Sequence, residues 1–242
     1  MKILLIDTCG ATGSVALADT NLSPAIVFNA SLPGRTASER LVAAIKDLAG
    51  RAGIPLQTLD AVAVVHGPGS FTGVRVGLSA AKGLCEALNV PLVAISRLAV
   101  LAHLVKAAPD ARIHALLDAG RGEFYHGEYA GGICLREALV NSDELLAALN
   151  LVDDNAAKPQ VAVTCEPVVA QALAALTPQV VAEPTAEDAL LLALRRVQEQ
   201  AFDDTATIDA NYLRRTDAEI FAKPRSRPSA KPPGDRLGMP GR

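Results

Sequence analysis

The chain has 242 residues, half of them hydrophobic but only 3% aromatic, no Trp, and a formal charge of −3. That is one large domain or two small ones, with a core built from Ala, Val and Leu. It excludes a disordered chain, a coiled coil, a collagen, a mini-protein and a highly basic nucleic-acid module. The charge is uneven. Lys223 to Arg242 holds six basic residues against the single acid Asp235, a net +5, whereas residues 1–222 carry 17 basic and 25 acidic residues, a net −8. Cys9, Cys85, Cys134 and Cys165 are widely spaced and form no CxxC, so they read as buried free thiols of a reducing compartment. Only four apolar residues follow Lys2 before Asp7, which is no signal peptide, and no apolar run nears the ~18–20 residues that cross a bilayer. A cytoplasmic protein without a membrane segment is expected.

In chain order, Ile3 to Ile6, Ser14 to Ala18 and Ala25 to Ala30 read as three strands of an antiparallel meander, with the polar turn Asp7 to Gly13 after the first. Thr36 to Ala52 takes helical period, with Leu41, Ile45, Leu48 and Ala52 on one face, Thr36 or Ser38 as N-cap and Gly53 as the stop. Ala61 to Val65 is a continuous apolar run, as in a strand buried on both faces. A helix over about Thr72 to Leu88, a strand at Val90 to Ile95 and a helix capped by Ser96 and running to about Lys106 follow. Beyond Pro109-Asp110, strands are predicted at Arg112 to Leu117, Glu123 to Tyr129 and Ile133 to Leu139, the last two joined at Gly131-Gly132. A strand at Val161 to Thr164, a helix at Val168 to Leu176 and an amphipathic helix over Glu187 to Ala201 complete the pattern. In that last helix Leu190, Leu191, Leu194 and Val197 are the expected buried face. After Lys223, Pro, Lys, Arg, Ser and Gly dominate without periodicity, and a disordered basic tail is expected.

The order β-β-β-α-β-α-β-α followed by a second β-rich half suggests a duplicated α/β architecture, actin-like or ribonuclease-H-like, with two lobes. The expected division is 1–108 for the first lobe, joined by the 187–201 helix, 109–186 for a smaller second lobe, and 223–242 for the tail. Such a fold grips phosphates between its halves, with the turn after the first strand beside them.

Asp7-Thr8 in that turn can hold a magnesium ion and touch phosphate, or Asp7 can simply satisfy turn amides. His66-Gly67-Pro68-Gly69-Ser70-Phe71-Thr72-Gly73 lies between a buried strand and a helix start that welcomes an anion. It lacks the Lys of a Walker A loop and the spacing of a nucleophile elbow, so a rigid strand-to-helix turn without ligand stands beside the anion reading. Gly73, Gly77 and Ala81 recur every fourth residue. Gly costs ~1 kcal/mol in a helix interior, so a small face serves close approach, either of a neighbour in the same chain or of another protein. His66, His103, His114 and His126 form no i, i+4 pair and read as isolated histidines. No nucleophile–base grouping is evident.

Ile6-Asp7-Thr8, Ser14-Val15-Ala16-Leu17, Ser38-Glu39-Arg40-Leu41, Gly67-Pro-Gly-Ser-Phe-Thr-Gly73 and Val74-Arg75-Val76-Gly77 closely resemble the TsaB (YeaZ) family. Ala81-Lys82-Gly83-Leu84, Pro91, Asp118-Ala119, Glu123-Phe124-Tyr125 and Tyr212-Leu213-Arg214 extend the likeness over roughly residues 1–221. Ala37 stands where the family commonly has His, and Gly120 interrupts its Asp-Ala-Arg. The resemblance implies an actin-like, non-catalytic partner of TsaD in making N6-threonylcarbamoyladenosine at position 37 of tRNA. It implies no cofactor of its own, with ATP/ADP and metal belonging to the complex with TsaD and the ATPase TsaE, and tRNA met only through that complex. It also implies a homodimer when alone and a helical interface, for which Leu41, Ile45, Gly73, Val74, Gly77 and Ala81 are the candidates. Asp7, Thr8, Gly67, Gly69 and Ser70 are then vestigial phosphate or nucleotide loops. The rivals are an active actin-fold ATPase or kinase using Asp7 and Thr8, and a glycoprotease-like metallopeptidase.

Overall fold

A computed structural model describes residues 1–33, 36–150 and 159–213; the expected basic tail lies outside them. The first sheet runs β3-β2-β1-β4-β5, from β1 (Lys2–Asp7), β2 (Gly13–Asp19), β3 (Ile26–Leu32), β4 (Ala61–Val65) and β5 (Leu92–Ile95). β1 pairs antiparallel with β2 and parallel with β4, and β4 pairs parallel with β5. β4 is buried along its whole length, as its unbroken apolar run requires.

The second sheet repeats this arrangement. β6 (Arg112–Gly120) pairs antiparallel with β7 (Glu123–Ala130) and parallel with β9 (Gln160–Thr164). β8 (Ile133–Asn141) and β10 (Gln179–Val180) take the outer positions, giving the order β8-β7-β6-β9-β10. The same order and the same senses occur in both sheets, so the chain is a structural duplication.

The helices fix how the two sheets meet. α1 (Ala37–Ala52) buries Leu41, Ile45, Leu48 and Ala49. Ala49, not Ala52, completes the face, and Thr36 makes no capping bond. Gly53 ends the helix in the left-handed region (φ 63°), its N–H donating to Ala49 O and Gly50 O. α2 (Phe71–Leu88) is capped by Ser70, whose Oγ accepts from Gly73 N at 3.3 Å. α3 (Arg97–His103) is capped by Ser96. It falls within the 1–108 segment, yet Leu98, Leu101 and Ala102 pack with Ala115, Leu117, Tyr129 and Val163 of the second sheet. Val100 of the same helix is buried in the first core, so α3, inside the segment expected as the first lobe, packs against both sheets.

α4 (Ser142–Asn150), which periodicity did not reveal, follows β8, and α5 (Pro167–Ala172) is shorter than expected. α6 (Leu190–Gln198) differs more. It follows a 3-10 turn over Ala186–Ala189, started by a capping box between Thr185 and Asp188. The buried stripe is Ala186, Ala189, Leu190 and Ala193, at i, i+3, i+4, i+7, with the expected Leu194 and Val197 packed beside it. Leu191, expected inside, is 61% exposed. A close approach to the first sheet selects alanines over leucines.

After α6 an irregular strap returns along the first lobe. Asp203 N donates to Leu92 O, Ala94 N to an Asp203 carboxylate oxygen at 2.7 Å, and Asn211 N to His66 O.

Candidate functional site

In an α/β sheet, ligands gather at the carboxyl ends of the parallel strands. Here those ends, from both sheets, face one interlobe cleft of about 1230 Å³. The first lobe contributes the turn after β1 and the loop entering α2. The second contributes the carboxyl end of β6 and the loop after β9, and Arg97 and Glu183 complete the wall.

Thr8, Gly69 and Ser70 line this cleft, whereas Asp7 and Gly67 lie behind it. Asp7 is buried, and one carboxylate oxygen accepts from Cys9 N at 2.8 Å. Burial pushes its pKa above the ordinary carboxylate range, against the pull of Arg97 and the Cys9 amide. The turn-amide reading of Asp7 is therefore the one its contacts fulfil. Thr8 Oγ1 donates to Gly73 O at 2.6 Å, and Ser70 Oγ is engaged as the α2 cap. Ser70 N donates to Cys9 O at 2.8 Å.

The glycines of the 67–73 loop have a packing cause. Gly67 adopts φ +109°, and its carbonyl accepts from Arg97 N. A Cβ on Gly69 would lie 2.4 Å from Cys9 O, and one on Gly73 2.0 Å from Thr8 O. The loop and the turn after β1 are thus pressed together, backbone to backbone.

The same contacts correct the expected partner interface. Leu41, Ile45, Val74 and Ala81 are core residues, each at most 3% exposed. A Cβ on Gly77 would meet Thr8 Oγ1 at 2.3 Å, so the small face of α2 serves the chain's own first turn. Leu41, Ile45, Val74, Gly77 and Ala81 are therefore buried within the chain in this conformation, and Gly73 is half-buried at the edge of the cleft.

Two features escaped the sequence. His114 and His126 are not isolated: neighbouring strands stack their rings, with 3.0 Å between Nδ1 and Nε2. Burial, then the neighbouring His114, lowers the His126 pKa to about 4. Among the described residues no group of three or more His, Cys, Asp or Glu could hold a metal ion. Cys134 is exposed rather than buried. The other missed feature is the pair Arg97–Glu183, 3.0 Å apart at the cleft wall. Burial works against the Arg97 charge, but Asp7, the nearby thiols and Glu183 outweigh it and hold the guanidinium above its ordinary value. The one signal for either pair is its register in three dimensions, since 12 residues separate the histidines and 86 the ion pair.

Two repeated sheets, mixed in sense and closing on a shared cleft, define a two-lobed α/β protein of the actin-like class. The TsaD family (tRNA N6-adenosine threonylcarbamoyltransferase) matches residues 31–142. The TsaB protein of Escherichia coli, a tRNA threonylcarbamoyladenosine biosynthesis protein, is 35% identical over 130 residues, covering 53% of this chain and 55% of that protein. Its Bacillus subtilis counterpart is 34% identical over 150 residues, covering 61% and 63%. The chain's match thus spans between half and two thirds of these curated relatives. The solved structure of YeaZ from Pseudomonas aeruginosa aligns over 88% of this chain and 99% of its own, with a TM-score of 0.70 at 28% identity. Over these spans the chain is similar to TsaB and YeaZ proteins.

Proposed function

We propose that the protein is a cytoplasmic, non-catalytic subunit of the machinery that makes tRNA threonylcarbamoyladenosine, supporting a TsaD-type transferase. The observation that carries this reading is the likeness of nearly the whole chain to YeaZ, together with curated relatives named for that biosynthesis. The site chemistry supports it. Asp7, the acid an actin-fold ATPase would turn toward metal, is buried against the Cys9 amide, and the Thr8 and Ser70 hydroxyls are spent on the backbone of α2. In this reading ATP, metal and tRNA are handled by the complex with the transferase and a TsaE-type ATPase, and the chain alone forms a homodimer.

The partner surface proposed is the outward side of α1 and α2. Val42 is 54% exposed and Phe71 is 50% exposed. The Arg75 guanidinium lies 3.7 Å from the Phe71 ring centroid and donates to Tyr212 Oη at 2.6 Å. A rigid cluster of aromatic and Arg side chains is the type that anchors interfaces.

The test is reconstitution. Isolated chain is expected neither to modify tRNA from threonylcarbamoyl-AMP nor to hydrolyse ATP above background, whereas adding it to a TsaD-type transferase raises modification. Val42→Glu and Phe71→Ala should weaken the pairing, by about 1 kcal/mol or more for Phe71, without lowering Tm. Steady ATP turnover by the isolated chain that Asp7→Ala abolishes would overturn the reading in favour of an ATPase.

A further inference from the structure

Glu183 lies between β10 and the 3-10 turn at 186–189, and its carboxylate is seated on the turn after β1. One oxygen accepts from Ala11 N at 2.9 Å and from Arg97 Nη2 at 3.0 Å. The same oxygen is 2.0 Å from where a Cβ on Gly10 would stand, so the glycine lets the carboxylate come down onto the turn. Arg97 is 4% exposed, and its Nε is the one fully buried side-chain nitrogen or oxygen without a hydrogen-bond partner among the described residues. A backbone amide, a close-approach glycine and a buried guanidinium with a donor in reserve make a seat for a tetrahedral or planar oxyanion. In this conformation the oxyanion is the chain's own.

We propose that Glu183 is a built-in occupant of an oxyanion seat formed by Gly10, Ala11 and Arg97, and that it closes the interlobe cleft to phosphoryl groups. Removing the glutamate takes away the carboxylate in contact with the buried Arg97 and leaves only Asp7 and the nearby thiols to balance its charge, so another anion gains a place there. Phosphate fits: it can accept from Ala11 N, from Nη2 and from the reserve Nε. Asp118 and Glu166 also line the cleft, so with Glu183 in place it holds three carboxylates and one guanidinium, a balance that disfavours a polyanion. An anion can enter only when Glu183 swings out, and its apparent affinity is reduced by the fraction of molecules in that state. This is independent of the proposed role in tRNA modification and survives if that role fails.

The experiment measures binding of inorganic phosphate, and separately of ATP, to the full chain and to Glu183→Ala by calorimetry, with Tm followed against phosphate concentration. A minor open state of 10% or less predicts that Glu183→Ala binds phosphate at least about tenfold more tightly than the unaltered chain. Its Tm, lowered by the orphaned Arg97, should climb with phosphate more steeply than that of the unaltered chain. Pairing the change with Arg97→Met should abolish the gain. ATP binding more tightly than phosphate would assign the seat to a nucleotide phosphate, and equal binding to free phosphate; either supports the proposal. Should Glu183→Ala fail to fold, Glu183→Gln keeps the shape without the charge, and phosphate should raise its Tm but not that of the unaltered chain. Equal phosphate affinity in all variants, or a gain that persists in the Arg97→Met background, would overturn the proposal.

Discussion

Three glycines in α2 should respond to the same change in three ways. Ala in place of Gly stabilises a helix interior by about 1 kcal/mol, so each substitution starts with that gain. At Gly83 nothing lies within 4 Å of the new Cβ, and Gly83→Ala should keep most of it. At Gly77 the Cβ meets Thr8 Oγ1 at 2.3 Å. The β-branched Thr8 can turn away only by giving up its bond to Gly73 O, a loss of about 0.5–1.5 kcal/mol, so Gly77→Ala should be neutral to mildly destabilising. At Gly73 the obstacle is Thr8 O, a backbone atom 2.0 Å away. Overpacking of this kind costs about 1–3 kcal/mol, the Thr8 bond is lost with it, and after the helix gain the net destabilisation is about 0.5–3.5 kcal/mol. For a chain of this size each kcal/mol moves Tm by about 2–4 °C. Thermal and urea unfolding of the three variants should rank them Gly73→Ala, Gly77→Ala, Gly83→Ala from least to most stable. Thr8→Ala should restore the helix gain to Gly77→Ala in a double-mutant cycle. A Gly73→Ala protein as stable as the unaltered chain would refute the close packing of α2 on the first turn, and with it the reassignment of the small face to the interior.

The remaining predictions concern pH and the tail. Because His126 has a folded pKa near 4 and an unfolded value near 6.5, the unfolded chain takes up a proton first. Stability should therefore be full above pH 6.5 and fall as the pH drops toward 4, by up to about 2–3 kcal/mol. Urea titrations of His126→Gln should show a flatter pH profile over that window, and an unchanged profile would remove His126 as the cause. Deleting residues 223–242 should leave affinity for the transferase unchanged and reduce only a salt-sensitive attraction to tRNA; a large loss of transferase affinity would assign the tail to the interface.

How much was legible depended on whether the cause was local. Apolar runs such as Ala61 to Val65, caps such as Ser96 and stops such as Gly53 are local chemistry, and the strands and helices they mark stand within a few residues of expectation. The 67–73 motif was legible as a glycine-rich entry to a helix, but not the reason for its glycines, since Cys9 O and Thr8 O reach them from 60 and 65 residues away. On α6 Leu190, Leu194 and Val197 pack on the first core as expected, but Leu191 stands outside and Ala193 takes the inner position, because close packing on the sheet favours the smaller side chain. Glu183 carried no signal at all; an acid in a loop becomes informative only once Arg97 and Ala11 stand beside it.

The placement of α3 has a consequence for how the molecule comes apart. The helix is made before the second sheet in the chain, yet Leu98 and Leu101 are fully buried in that sheet's core. α6 does the reverse, following the second sheet and closing the first. Each half therefore completes its interior with a piece supplied by the other. Cutting the polypeptide near residue 108 would strand one apolar helix and uncover two cores at once. The duplicated halves should consequently lose amide-exchange protection together, as one cooperative unit, and neither should persist as a folded fragment.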